Sequence, residues 1–360
     1  KFEPNHFEIW LLVYFMIVVI SLAGSTLFAL SFKGFMKTVT YLGFYISVVH
    51  YLKNNRDKLP YLLGTIGICA AFESITGILQ NFAQVQEIST WQDVTSLNPE
   101  EVMTRVYGTL KPYNPNLLGG YFVASIPALF GMAGYFLISK KNIPAIITGV
   151  LTLFSVAALF LTGCRGSYIG CMVIFCGIFA VSAKYLWKNY KNIYLSIVGS
   201  VITLAMAAIL LVSSLRARVL SIFAMRQDSS NSFRFNVYQS SFQMAKDNWL
   251  LGIGVGNKNF REIYGLYMKT GFDALSAYNI FLETAVESGI FALIAFLGFL
   301  VVMIKDAVKF ILTCENVQNV IFISAAIISI IAVMIHGLVD TVFFRPQIQF
   351  VFWTMVAVVS

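Results

Sequence analysis

Two arginines stand out because each lies beside long apolar stretches. Arg165 lies in LTGCRGSYIG, and Arg234 lies in NSFRFNVYQSSF. A guanidinium holds five donors in a fixed fork that fits phosphate oxygens. We expect Arg234 near the free amides at the start of a helix with Ser232 as its N-cap, which would favour an anion further. The pair predicts an anion site, and the alternative is two arginines that extend towards lipid headgroups.

Two pairs of titratable residues have a spacing of four. Glu283 and Glu287 share one face of a predicted helix, and His336 and Asp340 lie near the end of an apolar run. A carboxylate at the membrane surface can act as a base or pair with an arginine, and a His–Asp pair can share a proton. Glu283, Glu287 and His336 are therefore base candidates, with Asp340 as a substrate contact. Structural ion pairs and helix-packing hydrogen bonds are the alternatives.

Three glycines, Gly252, Gly254 and Gly256, follow a predicted helix in LLGIGVGN. A phosphate cradle of the nucleotide type needs a preceding strand, so we expect a tight turn whose amides could still contact an anion. The His, Cys, Asp and Glu residues show no metal-ligand spacing along the chain. The sequence therefore predicts neither a metal nor a cofactor.

The elements that must position these residues are apolar helices. The chain is 58% hydrophobic and only 12% charged, whereas soluble domains are about 25% charged. Its apolar runs of about 15–23 residues suit a hydrocarbon layer of about 30 Å. We expect an all-α polytopic membrane protein with spans at 9–30, 38–52, 60–83, 117–138, 143–163, 167–186, 193–213, 280–304, 318–339 and 343–359. The chain begins with Lys1 and ends in an apolar run, so we expect a piece of a longer protein.

The positive charges of the short loops predict the orientation. One alternating set of loops holds Lys53, Arg56, Lys58, Lys140, Lys141, Lys184, Lys188, Lys191, Lys305 and Lys309. This set should face the cytoplasm, which places the long loops 84–116 and 214–279 on the periplasmic face of a bacterial inner membrane. The net charge of +8 thus reflects topology and does not predict nucleic-acid binding.

The polar segment, residues 214–279, should contain a helix on the membrane surface. Its residues Phe235, Tyr238, Phe242, Ala245 and Trp249 recur at spacings of three and four, which places them on one helical face. We expect this aromatic face to lie on the bilayer or against the spans. Outside this face, Arg216, Arg218 and Arg226 could add positive field near Arg234 or anchor the preceding span.

Four motifs resemble the O-antigen ligase and O-antigen polymerase superfamily, in the same order along the chain. They are LTGCRGSYIG, the stretch NSFRFNVYQSSFQMAKDNWLLGIGVGNKNF, the helix start SAYNIFLETAVESG, and HGLVD. The resemblance divides the chain into N-terminal spans with a first loop at 1–110, an O-antigen ligase-related membrane domain at 111–345, and the start of a C-terminal span at 346–360. Residues 214–279 are the periplasmic loop of that domain.

The resemblance implies a metal-independent transferase that moves glycan from a polyprenyl diphosphate carrier to an acceptor glycan or lipid. Arg165 and Arg234 match the arginines expected to hold the diphosphate. The chain departs from the ligases where they have His before Asn, because it has Tyr278 before Asn279. A tyrosine with an ordinary pKa of about 10 is a poor base at neutral pH.

Three functions stay open at the level of sequence. The first is a ligase or polymerase of lipid-linked glycan. The second is a transporter of a small anion such as bicarbonate, because ALSAYNIFLE, YNPNLLGGY and LTGCRGSYIG resemble most closely a branch of the superfamily described as bicarbonate transporters. The third is a non-catalytic membrane partner of an envelope glycan system. We see no internal repeat, which disfavours one class of transporter.

Overall fold

The computed structural model describes residues 5–83, 105–224 and 229–360. Residues 84–104 of the first predicted loop, and Arg226, lie outside the described residues. The described parts contain helices and no strand. The helices are α1 His6–Ala23, α2 Phe28–Asn54, α3 Leu59–Phe82, α4 Pro115–Ile138, α5 Asn142–Leu161, α6 Arg165–Leu211, α7 Ser213–Leu220, α8 Ser229–Asp247, α9 Asn257–Tyr264, α10 Ile280–Thr313, α11 Val317–His336 and α12 Pro346–Val359.

Seven of the described helices are long and apolar enough to cross a membrane, so the predicted class of polytopic helical membrane protein is confirmed. The helices α4 and α11 are the most enclosed of these spans. Against α4 pack α3, α5 and α11, while α1 packs along α10 and α2 along α12. The core between them is built from large apolar side chains such as Phe122, Phe299 and Phe352.

The helix α6 contains two of the predicted spans, because it folds back on itself at Tyr190. The backbone of Tyr190 leaves the helical region with a φ of −131°. The Tyr194 hydroxyl then donates to the carbonyl of Phe179 over 3.0 Å. Residues fifteen positions apart in one straight helix would be about 22 Å apart. The second half therefore runs back towards the face where Arg165 begins α6.

The boundary between the first two predicted spans is wrong. We expected spans at 9–30 and 38–52, but α1 ends at Ala23 and α2 already begins at Phe28. The turn lies inside a continuous apolar run, so the hydropathy of the sequence does not reveal it. Two contacts form it: the Ser25 and Ser31 hydroxyls are 2.6 Å apart, and Gly24 leaves room for Leu251 of the polar segment.

The span α10 is interrupted, and the polar segment completes its backbone hydrogen bonds. The break lies at Gly289, which has a φ of 81°. Across it, the amides of Ile253 and Gly254 donate to the carbonyls of Val286 and Glu287 over 2.9 Å each, and the amide of Ile290 donates to Trp249 over 2.8 Å. Backbone groups at the membrane need such partners because water does not supply them.

The glycine turn 252–256 is the part of the polar segment that makes this contact. Gly252, Gly254 and Gly256 all have positive φ values, of 70°, 95° and 119°. A Cβ on Gly252 would lie 2.5 Å from the Ser288 amide nitrogen, and one on Gly254 would lie 2.7 Å from Ser25 Cβ. The turn is therefore packed between α10 and the α1–α2 connection, which explains why glycine is needed there.

The polar segment also has a small core of its own. Val237 and Met244 of α8 pack with Phe260 and Tyr264 of α9 and with Val286 of α10. Of the predicted aromatic face, Phe235, Phe242 and Trp249 are exposed, whereas Tyr238 lines a cavity and Ala245 packs against this core. This exposure leaves that face available to a bilayer, as one of the two sequence-based alternatives expects.

We predict that Gly254→Ala destabilises the protein much more than Gly271→Ala. Both glycines have positive φ, which costs an alanine about 1–2 kcal/mol. Only Gly254 has neighbours that a Cβ would overlap, since nothing lies within 4 Å of the Gly271 position. Thermal unfolding in detergent should therefore show that Gly254→Ala lowers the free energy of unfolding by a further amount of about 1–3 kcal/mol, the cost of overpacking. Equal unfolding temperatures of the two variants would contradict this packing.

Candidate active site

Four arginines line one cavity between the polar segment and the spans. The cavity has a volume of about 710 Å³, and the four are Arg105, Arg165, Arg218 and Arg234. Cavities that bind small molecules typically have volumes of about 300–1,000 Å³. The structure thus brings together the two arginines predicted from the sequence and adds two more. Their role in binding stays a prediction.

Arg165 begins α6 and connects it to the end of α7. Its Nη1 donates to both the carbonyl and the hydroxyl of Ser221, over 3.2 Å each. Ser221 follows α7, so the guanidinium is held against the polar segment rather than extended along the lipid-facing surface. Of the two alternatives considered for Arg165, this position favours the anion site.

Arg234 lies deeper in its helix than expected. We expected a helix with Ser232 as its N-cap, but α8 begins at Ser229. The arginine is therefore the sixth helical residue, two residues beyond the four free amides. Its Nη1 donates to the Ser230 hydroxyl over 2.8 Å, and its Nη2 is 3.8 Å from Asp340 Oδ2. Side-chain contacts, and not the helix start, hold this guanidinium.

Asp340 joins three parts of the chain in one hydrogen-bond network. Its Oδ2 accepts from Asn116 Nδ2 over 3.0 Å, and its Oδ1 accepts from the Thr341 amide over 2.7 Å. Asn116 in turn accepts from Arg105. The N-cap of α4 is Asn114, whose side chain accepts the Asn116 amide. Asn116 is left to connect Arg105 with the carboxylate that faces Arg234.

Arg105 is the site residue that the sequence reading missed. It is only 6% exposed, and its Nε donates to the Thr162 carbonyl over 2.8 Å. No recognisable motif surrounds Arg105, and it lies far from Arg165 in sequence. The nearest signal is the turn-rich KPYNPN a few residues later, which indicates a rigid connection into α4.

The connector 105–113 is fastened to α3 by two polar side chains. Glu73 accepts both the amide (2.9 Å) and the hydroxyl of Thr109. Gln80 accepts the amides of Tyr107 and Gly108 over 3.1 Å and 2.8 Å. The buried Glu73 carboxylate thus has hydrogen-bond partners that could not be predicted from the sequence. These bonds position Arg105, because the connector carries it over the start of α4.

Tyr278 lies at the cavity, and the next residue, Asn279, begins α10 as its N-cap. Asn279 caps α10 by accepting the amides of Phe281 and Leu282 over 3.0 Å each. Tyr278 lines the cavity, and its ring lies 5.8 Å from the Arg234 guanidinium carbon. Burial raises the pKa of Tyr278 above its ordinary value, the Asp340 carboxylate raises it further, and Arg234 lowers it. The phenol therefore stays neutral, as a poor base would.

The two predicted glutamate bases have other contacts. Glu283 Oε2 accepts from the Ala277 amide and from the Thr341 hydroxyl, over 3.2 Å each. Glu287 Oε1 accepts from the Gly256 amide over 2.8 Å. Neither glutamate lines the arginine cavity, and the three glycines of the 252–256 turn do not line it either. These residues fasten the polar segment to α10.

His336 and Asp340 do not share one helical face, because α11 ends at His336. The spacing of four residues therefore does not place the two side chains one helical turn apart. The predicted His–Asp pair is not what positions the His336 imidazole. The imidazole Nε2 lies 3.7 Å from the Cys164 sulfur instead. His336 is buried at 2% exposure, while Cys164 lines the cavity.

These features define a polytopic membrane protein with a one-sided arginine cavity that a folded polar segment covers. Residues 150–297 match the family model described as O-Antigen ligase. This part of the chain thus resembles an O-antigen ligase domain, and the predicted resemblance to that superfamily is confirmed. The matched range includes Arg165, Arg234 and Tyr278, while Arg105 and Asp340 lie outside it. No curated protein matches the chain. Its placement in the bicarbonate-transporter branch stays a prediction.

We predict that Glu73→Ala loosens the connector and lowers the stability of the protein. The stability of the Glu73→Gln variant should lie between those of Glu73→Ala and the unmodified protein. Alanine removes the acceptor of two donors on Thr109, and each buried donor left unsatisfied costs about 1–3 kcal/mol. Thermal unfolding in detergent measures the loss. Glu262→Ala, which changes an exposed glutamate, is the control. Equal stability of the Glu73→Ala and Glu262→Ala variants would rule out the fastening role.

Proposed function

We propose that this protein transfers or polymerises glycan from a polyprenyl diphosphate carrier, in the synthesis of a cell-envelope polysaccharide. The observation that carries the proposal is the gathering of four arginines around one cavity, in a chain with an O-antigen ligase domain. The acceptor would be a hydroxyl of a second glycan or lipid. Two bonds break, the one between the first sugar and the diphosphate and the O–H bond of the acceptor. The bond that forms joins this sugar to the acceptor oxygen, and the proton leaves with the departing diphosphate.

The charge around the cavity suits a diphosphate leaving group. Among the described acidic residues near the four arginines, Asp273 lines the cavity and Asp340 lies 3.8 Å from Arg234. Asp273 is paired with Arg261 at 2.6 Å, which leaves Asp340 as the acid beside the arginine network. A diphosphate gains negative charge as the sugar departs, and fixed guanidinium groups stabilise that charge without reorganising. The arginines would thus accelerate the transfer as well as bind the carrier.

The position of the cavity suits a substrate that is half lipid. The exposed aromatic face of α8, with Phe235 and Phe242, lies beside the cavity-lining residues of the same helix. An isoprenoid chain can stay in the bilayer along such a surface while its diphosphate enters the cavity. The loops rich in lysine and arginine join the opposite helix ends, and by the positive-inside rule this supports a cavity on the periplasmic face.

The size of the cavity favours this reading over the transport of a small anion. A volume of about 710 Å³ accommodates a diphosphate and a sugar, and greatly exceeds the needs of a three-oxygen anion. Transport also requires a site that opens alternately to both sides, commonly near the membrane midplane. Arg105 instead lies in the connector before α4, Arg165 at the start of α6, and Arg218 and Arg234 in α7 and α8 of the polar segment. Bicarbonate transport therefore serves as the competing outcome in the test.

We predict that cells lacking the gene accumulate a carrier-linked glycan, and that Arg165→Ala, Arg218→Ala and Arg234→Ala fail to reverse this. Each loses a charged contact of about 1.5–3 kcal/mol, so transfer should slow by about 10- to 150-fold. Extraction of polyprenyl diphosphate-linked glycans measures the effect. The matched control is Arg216→Ala, which changes an exposed arginine that donates to Leu210 and should restore the normal pool.

Two results would contradict the proposal. One is an unchanged pool of carrier-linked glycan together with a loss of inorganic carbon uptake, which would favour the transporter. The other is equal behaviour of the Arg216→Ala and Arg218→Ala variants, since only Arg218 lines the cavity. Immunoblots of the membrane fraction should confirm equal amounts of each variant.

We predict that Tyr278→Phe keeps transfer within about threefold, while Tyr278→Ala slows it by about 3- to 30-fold. The phenol is neutral, so its hydroxyl does not act as the base. The ring supports Arg234 by a cation–π contact, worth about 0.5–2 kcal/mol. Turnover of carrier-linked glycan by purified protein measures both variants. A severe loss in Tyr278→Phe would instead assign a chemical role to the hydroxyl.

A further inference from the structure

Potential sulfur, nitrogen and oxygen ligands lie close together in a buried cluster beside the arginine cavity. The three residues are Cys164, His336 and Asp340, whose donor atoms all lie within 4.8 Å of one another. They are 3%, 2% and 4% exposed. Because Cys164 is far from the other two in sequence, the spacing of residues along the chain gave no sign of this cluster.

Two glycines from different helices fix the imidazole. A Cβ on Gly166 of α6 would lie 2.9 Å from His336 Nε2, and one on Gly120 of α4 would lie 3.0 Å from its Cε1. The ring therefore fills a slot that any larger residue would close. In this slot Nε2 faces Cys164 at 3.7 Å. A ring held in one orientation can present one nitrogen to a ligand without rearrangement.

The carboxylate of Asp340 is held just as firmly. Asn116 Nδ2 donates to one of its oxygens and the Thr341 amide donates to the other. Such outer hydrogen bonds are what orient a metal-binding carboxylate. Each oxygen keeps a further lone pair, because a carboxylate offers about four acceptor positions in all. The Ser167 hydroxyl is buried beside Cys164.

We propose that Cys164, His336 and Asp340 bind a divalent transition-metal cation of the zinc type, with a fourth position left for water or another ligand. Thiolate, imidazole and carboxylate together are a donor set that zinc accepts in tetrahedral geometry. With bonds of about 2.3 Å to sulfur and 2.0–2.1 Å to nitrogen, the two atoms would be about 3.5 Å apart. The observed Sγ–Nε2 distance of 3.7 Å is close to that value.

The charges and the access route also fit a cation. On binding, the thiol releases its proton, and the thiolate and carboxylate cancel the two positive charges of the metal. The loaded cluster therefore adds no net charge next to the arginines. Cys164 lines the cavity, which gives the cation a route from the surface. The proposal stands apart from glycan transfer, because no step of the proposed transfer uses the cation.

Metal content tests the proposal directly. The full chain, purified without a histidine tag, is equilibrated with zinc, freed of excess metal by gel filtration and analysed by elemental mass spectrometry. We expect about one zinc per chain. The variants Cys164→Ser, His336→Gln and Asp340→Asn should each lower the zinc content at least fivefold. Cys171→Ser and His50→Gln, which change residues outside the cluster, should leave it unchanged.

A second measurement guards against variants that fail to fold. Cobalt replaces zinc in the unmodified protein, and a thiolate–cobalt charge-transfer band with strong visible absorption reports a tetrahedral site with a sulfur ligand. Zinc should then displace the cobalt and abolish the band. Retention of fewer than about 0.1 zinc per chain, absence of the band, or a zinc content unaffected by Cys164→Ser would each overturn the proposal.

Discussion

The structure depends on an interrupted span that another part of the chain completes. The break in α10 at Gly289 leaves backbone groups without helical partners, and the glycine turn 252–256 supplies them through close backbone contact. Unpaired groups at this depth would be costly, so the polar segment and the spans stabilise each other. Glu287 strengthens the same contact by accepting the Gly256 amide.

This anchoring determines the shape of the arginine cavity. The glycine turn fixes the polar segment to α10. The segment then covers the helix ends, and its helix α8 places Arg234 within 3.8 Å of Asp340. Asn116 extends the network to Arg105, which Glu73 and Gln80 position through the connector. Each arginine therefore belongs to a different element, and they converge because every element is tied down separately. A rigid, positively charged cavity of this kind can stabilise developing negative charge.

The sequence predicts the spans and part of the site, and the reasons for its failures are physical. Long apolar runs predict the helices well, including the return of α6 at Tyr190, because length and hydropathy are local properties. The motif around Arg165 and the aromatic spacing near Arg234 likewise identify two arginines of the cavity. Arg105, the role of the glycine turn and the meeting of Cys164 with His336 arise from contacts between distant residues. A local pattern cannot report those contacts, and it assigned Glu283, Glu287 and the glycines to the site although they hold the polar segment in place.

The central claim is that the cavity recognises a diphosphate, and equilibrium binding of a short-chain isoprenoid diphosphate to the purified protein tests it most directly. We predict binding to one site that weakens at least tenfold in Arg165→Ala and Arg234→Ala, and that stays unchanged in Arg216→Ala. The matching isoprenoid monophosphate should bind more weakly, because it offers fewer oxygens to the guanidinium forks. Equal affinity for the two lipids, or equal binding by all three variants, would contradict the account.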